Sequence, residues 1–199
     1  MRLTHVLRRL IQSPGFTLMT ALTLAIGIGA NGAIFTVIEG VLLKPLIYPS
    51  AERLIAVNHT APGINFPEAG SAPFLYFTYR DEARTFDAAG VWRARTASIT
   101  GLAEPEEVHT IDVTADVLPA LGVSPTIGRW FSTNDDAPGS QETVILTDGY
   151  WKTRFGGDSG VLGRRIIVDG SARDIIGVMP ESFRFLTERV SIFCPLRFI

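Results

Sequence analysis

At 199 residues, 46% of them hydrophobic and only 19% charged, the chain is more apolar than a typical soluble domain, where charge runs near ~25%. That composition excludes a disordered tail, and a formal charge of −2 gives no basis for nucleic acid as a partner. One cysteine, Cys194, and three scattered histidines, His5, His59 and His109, exclude a disulfide framework and offer no recognisable zinc spacing.

The surplus apolar residues sit near the N-terminus. Leu3, Val6, Leu7, Leu10 and Ile11 fall on one helical stripe with Arg2, Arg8 and Arg9 off it, which predicts a cytoplasmic amphipathic helix over residues 1–15. An irregular basic leader is the alternative. Ser13-Pro14-Gly15 breaks the stripe, and no formal charge occurs between Arg9 and Glu39. Phe16 to Ile38 as a helix measures roughly 34 Å against a hydrocarbon core of about 30 Å, so a transmembrane helix is expected within 16–43. A cleaved signal peptide is the competing reading, with Gly27-Ile28-Gly29 as the small-residue site. The apolar pattern runs on through Ala33-Ile34-Phe35 and Val41-Leu42-Leu43, far beyond a signal h-region of ~7–15 residues. A buried core helix would rarely need so long an uncharged run.

Charge then sets orientation. Residues 1–38 hold three arginines and no acid, leaving −5 for residues 39–199. The basic flank is expected in the cytoplasm and everything after about residue 43 in the periplasm, with the chain held in the cell inner membrane by lipid.

Gly27-Ile28-Gly29-Ala30-Asn31-Gly32 matches a dinucleotide-binding fingerprint by letters alone, without the strand and βαβ unit the chemistry requires. No cofactor is expected. The same residues read better as a packing surface: Ala21, Ala25, Gly29 and Ala33 recur every four residues beside Thr23, Gly27 and Asn31. Asn31 is costly beside acyl chains and predicts a partner across a helix interface.

After Lys44-Pro45 the pattern becomes that of a mixed α+β domain over 44–199. A strand is expected over 54–59, a loop over 60–73, and a helix over 74–84 with Phe74, Phe77 and Tyr76 toward the core. Strands follow over 91–99 and 108–113, then a short helix from Asp116 to Leu121 closed by Gly122. Thr143 to Thr147 reads as a strand and Asp148 as the N-cap of a helix through Phe155, ended by Gly156-Gly157. Ile166 to Val168, Asp169-Gly170 and Ala172 to Met179 form the clearest hairpin signal, stopped by Pro180.

Chemistry is thin. Asp135-Asp136 and Glu104, Glu106 and Glu107 are the carboxylate clusters, and their Pro/Gly/Asn setting reads as solvated loop rather than paired general acids. No nucleophile elbow or H-E-x-x-H motif is present, and without any Gly-Lys dipeptide there is no Walker A loop for ATP. Trp92, Trp130 and Trp151 read as packing aromatics. Nothing here points to an enzyme or to a metal site.

Ser13-Pro14-Gly15-Phe16-Thr17, Leu24 to Asn31 and Ala33-Ile34-Phe35 resemble the first membrane helix of the MacB/FtsX-like ABC transporter permeases. Leu121-Gly122-Val123, Gly128-Arg129-Trp130-Phe131, Tyr150 to Gly157 with Trp151, Phe155 and Gly156, Leu162-Gly163-Arg164 and Ile176-Gly177-Val178-Met179-Pro180 are similar, in order, to the MacB-like periplasmic core domain. The resemblance implies a permease component whose periplasmic domain transmits conformational change from a separate ATP-binding subunit, together with further transmembrane segments or subunits. It gives Gly122, Gly128, Arg129, Trp151, Phe155, Gly156, Gly163, Gly177 and Pro180 structural roles. Such permeases carry more membrane helices after the domain, so the chain is expected to be a fragment or a truncation. Two other readings stay open: a single-span anchored ligand-binding or sensory module, and a hydrolase using Asp135 or Asp136.

Overall fold

The first described element, helix α1 (Pro14–Ile38), buries none of its side chains. It belongs to the computed structural model of the chain, which describes residues 12–39, 48–61, 63, 66–102, 104–186 and 189–198. The chain divides into two units, Met1–Pro45 and Leu46–Ile199. Most of the amphipathic stretch expected over 1–15 lies outside the described residues, as do residues 40–43 of the expected span. Pro14 opens α1 in the first turn, where its missing N–H costs nothing. At 25 residues α1 is about 38 Å long, enough to cross a bilayer. Its threonines do not expose free hydroxyls. Thr20, Thr23 and Thr36 each donate to the carbonyl four residues back, at 2.9, 2.8 and 2.9 Å, which removes most of their polar cost in an apolar solvent.

The second unit is α+β, the class expected. A two-stranded ribbon, β1 (His59–Ala61) and β2 (Phe66–Ala69), precedes helix α2 (Pro73–Glu82). The strand expected over 54–59 is therefore misplaced. Residues 54–58 pair with nothing in a ladder and leave Ile55 69% exposed, while pairing begins at His59 and falls in the stretch read as loop. Phe74 is a second correction: it is 66% exposed, while Tyr76, also expected toward the core, is the buried residue of α2. Tyr76 packs against Phe77 and Phe198, with ring centroids at 5.2 and 5.5 Å.

The rest is a seven-stranded sheet of β3 (Trp92–Thr100), β4 (Glu106–Val113), β5 (Ile127–Gly128), β6 (Thr143–Leu146), β7 (Arg165–Val168), β8 (Ser171–Val178) and β9 (Ile192–Pro195). Its order is β5-β8-β6-β9-β4-β3-β7, and β7 also pairs with β8. Six strands thus close into a ring, with β5 appended to the end of β8. Alternation sends Ala97, Ile99, Val108, Val144, Leu146, Ile166, Ile175, Ile192 and Cys194 into its interior. The opposite face of β4, β6 and β9 presents Ile111, Val113, Ile145 and Phe193 to a second core, completed by Leu118 of α3 (Val117–Ala120) and by Phe131, Phe183 and Phe185. A bulge where β8 passes β6 keeps both cores filled: Ile175 and Val178 face the ring interior, and Ile176 and Met179 the outer core.

One end of the ring is plugged by helix α4 (Asp148–Phe155) through Tyr150, Trp151 and Phe155. Its N-cap is Thr147, not Asp148: Thr147 Oγ1 accepts from the Tyr150 N–H, and the helix begins at Asp148 itself, one residue earlier than expected. The hairpin of β7 and β8 is as expected, with Asp169 at φ 50° and Gly170 at φ 80° forming the two-residue turn. Strands β5 and β9 carry no strong sequence signal, one having two residues and the other ending in proline.

Candidate functional site

Three features bear on function: the unburied helix, a knot of structural residues around β5, and the polar end of the ring. On α1, Ala21, Ala25, Gly27, Gly29, Asn31 and Ala33 are all exposed. A Cβ added at Gly27, Gly29 or Gly32 would meet nothing within 4 Å. Their smallness serves nothing inside the described residues.

The knot is the reverse. Gly128 and Gly177 are Cα partners where β5 crosses β8. A Cβ on Gly128 would collide with the Ile176 carbonyl, and one on Gly177 would sit 2.7 Å from the Arg129 carbonyl. Only glycine at both positions allows the approach that lets the Arg129 N–H donate to the Ile176 carbonyl at 3.0 Å. Arg129 then reaches Asp135 with two bonds, Nη1 to Oδ2 at 2.7 Å and Nη2 to Oδ1 at 3.1 Å. The Ser132 N–H and hydroxyl donate to Oδ2 at 2.7 and 2.6 Å, and Thr143 to Oδ1 at 3.2 Å.

Asp135 is therefore buried and saturated, which corrects the reading of a solvated loop. Burial alone would raise its pKa; the Arg129 and Ser132 bonds outweigh it and hold the carboxyl well below the usual range. Asp136 behaves oppositely. Burial pushes it up to about 6, against a bond of 2.6 Å from the Ala115 N–H. Neither carboxylate has the setting of a hydrolytic pair: Asp135 has both oxygens occupied by donors, and Asp136 Oδ2 caps a backbone N–H. Among the described residues no group of three or more His, Cys, Asp or Glu could hold a metal.

The remaining motif positions lie around this knot and α4. Gly122 follows α3 at φ 72° with Pro49 beside it, and Gly163 turns the chain into β7 at φ 80°. Trp151 Nε1 donates to the Asp158 carbonyl at 2.9 Å, Phe155 packs on the ring core, and Gly156 ends α4 at φ 63°. The Pro180 carbonyl accepts from the Phe183 N–H at 2.9 Å, starting the turn that brings Phe183 and Phe185 onto the outer core. Trp130 donates to the Val123 carbonyl at 3.1 Å, and Trp92 meets Phe185 edge-on at 5.4 Å.

The end of the ring away from α4 is polar, and sequence reading missed it. Arg93 and Arg95 share the interior face of β3 with Ala97 and Ile99; Thr110 and Asp112 share that of β4 with Val108. Arg93 Nη2 donates to Asp112 Oδ2 at 2.8 Å, and Arg95 Nε to both Asp112 oxygens at 3.0 and 2.8 Å. Arg173 pairs with Glu142 at 2.6 Å, and Arg197 pairs with the other Glu142 oxygen. The signal was available: within one strand the inward face changes from apolar to charged.

The profile of the MacB-like periplasmic core domain matches residues 17–198. The chain belongs to that family. A membrane-length apolar helix ahead of a domain of this family makes it a membrane-anchored protein. Its fold is similar to the periplasmic region of MacB from Actinobacillus actinomycetemcomitans, at 14% identity and a TM-score of 0.53, over 69% of this chain and 62% of that one. The extracellular domain of the noncanonic ABC-type transporter YknZ from Gram-positive bacteria matches at 19% identity and a TM-score of 0.44, over 53% of this chain and 52% of that one. The chain thus spans between half and two thirds of these structures. A search of curated proteins finds no match.

Proposed function

We propose that this chain is an inner-membrane permease component of an ABC-type transporter, with its N-terminus cytoplasmic and residues after about 43 periplasmic. The observation that carries this reading is the match of one family profile to residues 17–198, covering nearly all of α1 and the whole strand domain. A separate ATP-binding subunit supplies the energy in this reading, as membership of a family resembling the ABC transporter permeases implies. The small-residue faces of α1 take neighbouring membrane segments, and the domain relays their movement. A closed ring with two packed cores suits that relay, because it moves as a body rather than deforming.

Thiol labelling tests the topology. Burial pushes the Cys194 thiol up to about 12, so the native cysteine is silent and single added cysteines report. Ser171→Cys should react with a membrane-impermeant maleimide once the outer membrane is opened, and Gln12→Cys only after the inner membrane is breached. The reverse pattern overturns the orientation. Purification from membranes should recover a stoichiometric ATP-binding subunit; recovery of the chain alone would leave an anchored sensory module.

A further inference from the structure

The polar end of the ring is built differently from an ordinary set of surface ion pairs. Four guanidinium groups, Arg93, Arg95, Arg173 and Arg197, line a depression of about 270 Å³ against two carboxylates, Asp112 and Glu142. The lining thus carries a net +2, in a stretch of chain, residues 39–199, that carries −5. The volume falls below the ~300–1,000 Å³ of sites for drug-sized ligands and suits a small ion.

The donors are incompletely used. Arg93 engages one of its five N–H groups with a described residue, through Nη2, and its side chain is 64% exposed. Arg173, 15% exposed, pairs through Nη1 while its Nε is buried without an acceptor. Thr110 Oγ1, on the same interior face, is also buried without a partner. Asp112 is bound from one side by Arg93 and Arg95, and Glu142 from the other by Arg173 and Arg197. Asp169 Oδ2 also accepts from Arg95 Nη1 at 2.6 Å, so the surplus cation stands on the wall of Arg173 and Arg197, where Arg173 Nε and Glu142 Oε2 are both buried without a hydrogen bond. Buried donors in folded proteins find acceptors, and the group that answers several guanidinium donors from opposite walls is a tetrahedral oxyanion.

We infer that the open end of the ring binds a small oxyanion of the phosphate class, gripped between Arg93 and Arg95 on one wall and Arg173 on the other. This inference does not depend on the transport reading. Arginine Nε–H NMR signals of the full chain in a non-ionic detergent, titrated with inorganic phosphate, test it directly. Arg93 and Arg173 should shift saturably, with no such shift in chloride at matched ionic strength. Arg93→Ala, an exposed site with one engaged donor, should weaken binding at least about tenfold. Asp169→Asn keeps an oxygen for the Ser98 N–H but removes the charge that competes for Arg95, and should tighten binding about two- to fivefold. A parallel titration with glycerol 3-phosphate separates sources: tighter binding than phosphate assigns a phosphomonoester, and weaker binding the free ion. Shifts that fail to saturate, that appear equally in chloride, or that keep their midpoint in Arg93→Ala overturn the site.

Discussion

Glycine serves opposite purposes in the two units of this chain. In the strand domain Gly128 and Gly177 are pinned by their own neighbours, each with a backbone carbonyl where a Cβ would go. In α1 the glycines have open space around them. The difference teaches what each glycine answers to: Gly128 and Gly177 answer to backbone inside the domain, whereas those of α1 answer to nothing among the described residues, and on the proposed reading they leave room for a neighbouring membrane segment.

The largest expected effect breaks the domain side of that comparison. Gly128→Ala combines a backbone collision with a residue at φ 82°, and should cost about 3 kcal/mol or more in denaturant unfolding of the domain. An unchanged midpoint would remove the argument for close approach. Asp135→Ala comes next, at about 2–3 kcal/mol, less than the ~3–5 for a wholly buried pair because Arg129 is 53% exposed and rehydrates. The Asp135 carboxyl is held below its unfolded value. Its contribution is therefore complete above about pH 4 and is lost as pH falls through the folded value, so the gap between variant and wild type should narrow in acid.

Asp136 carries the opposite sign. With its folded pKa near 6, the native state retains a proton that the unfolded chain has released by about pH 4, and stability falls as pH rises between them. Asp136→Asn should stabilise the domain on the order of 1–2 kcal/mol at pH 8 and by little at pH 4, by thermal unfolding at both. A gain of equal size at both values would show that ionisation is not the cause. The smallest effect sharpens the helix side. Gly29→Ala should leave domain unfolding within about 0.5 kcal/mol while weakening helix association in bilayers, read by cysteine cross-linking from α1. Loss of domain stability in that variant would mean α1 is not an independent packing surface.

What the sequence disclosed was local. The hairpin of β7 and β8 was legible because Asp169-Gly170 is a turn requirement written in two adjacent residues, and α4 was legible through Gly156. The length and apolarity of α1 needed no neighbour to be read. Ring closure was hidden because it depends on β7 meeting both β3 and β8, and no single segment records that. Asp135 was misread for a similar reason. Its loop composition is genuine, but its environment comes from Arg129 six residues before it and Thr143 eight after. Arg93 and Arg95 drew no reading from the sequence, because only the register of β3 places them over the same interior as Ile99.

Closure of the ring also limits how another protein can join this domain. Each of its six strands has a neighbour on both sides, but β7 meets β3 only at Ile99 and Thr100, so the edge of β3 away from β4 stays outside the ladder over residues 92–97. Among the described residues, edges available for β-augmentation are that stretch of β3, the short β1–β2 ribbon and two-residue β5. Recognition over the rest of the domain must be written in side chains, and so can diverge between family members without touching the hydrogen-bonded frame.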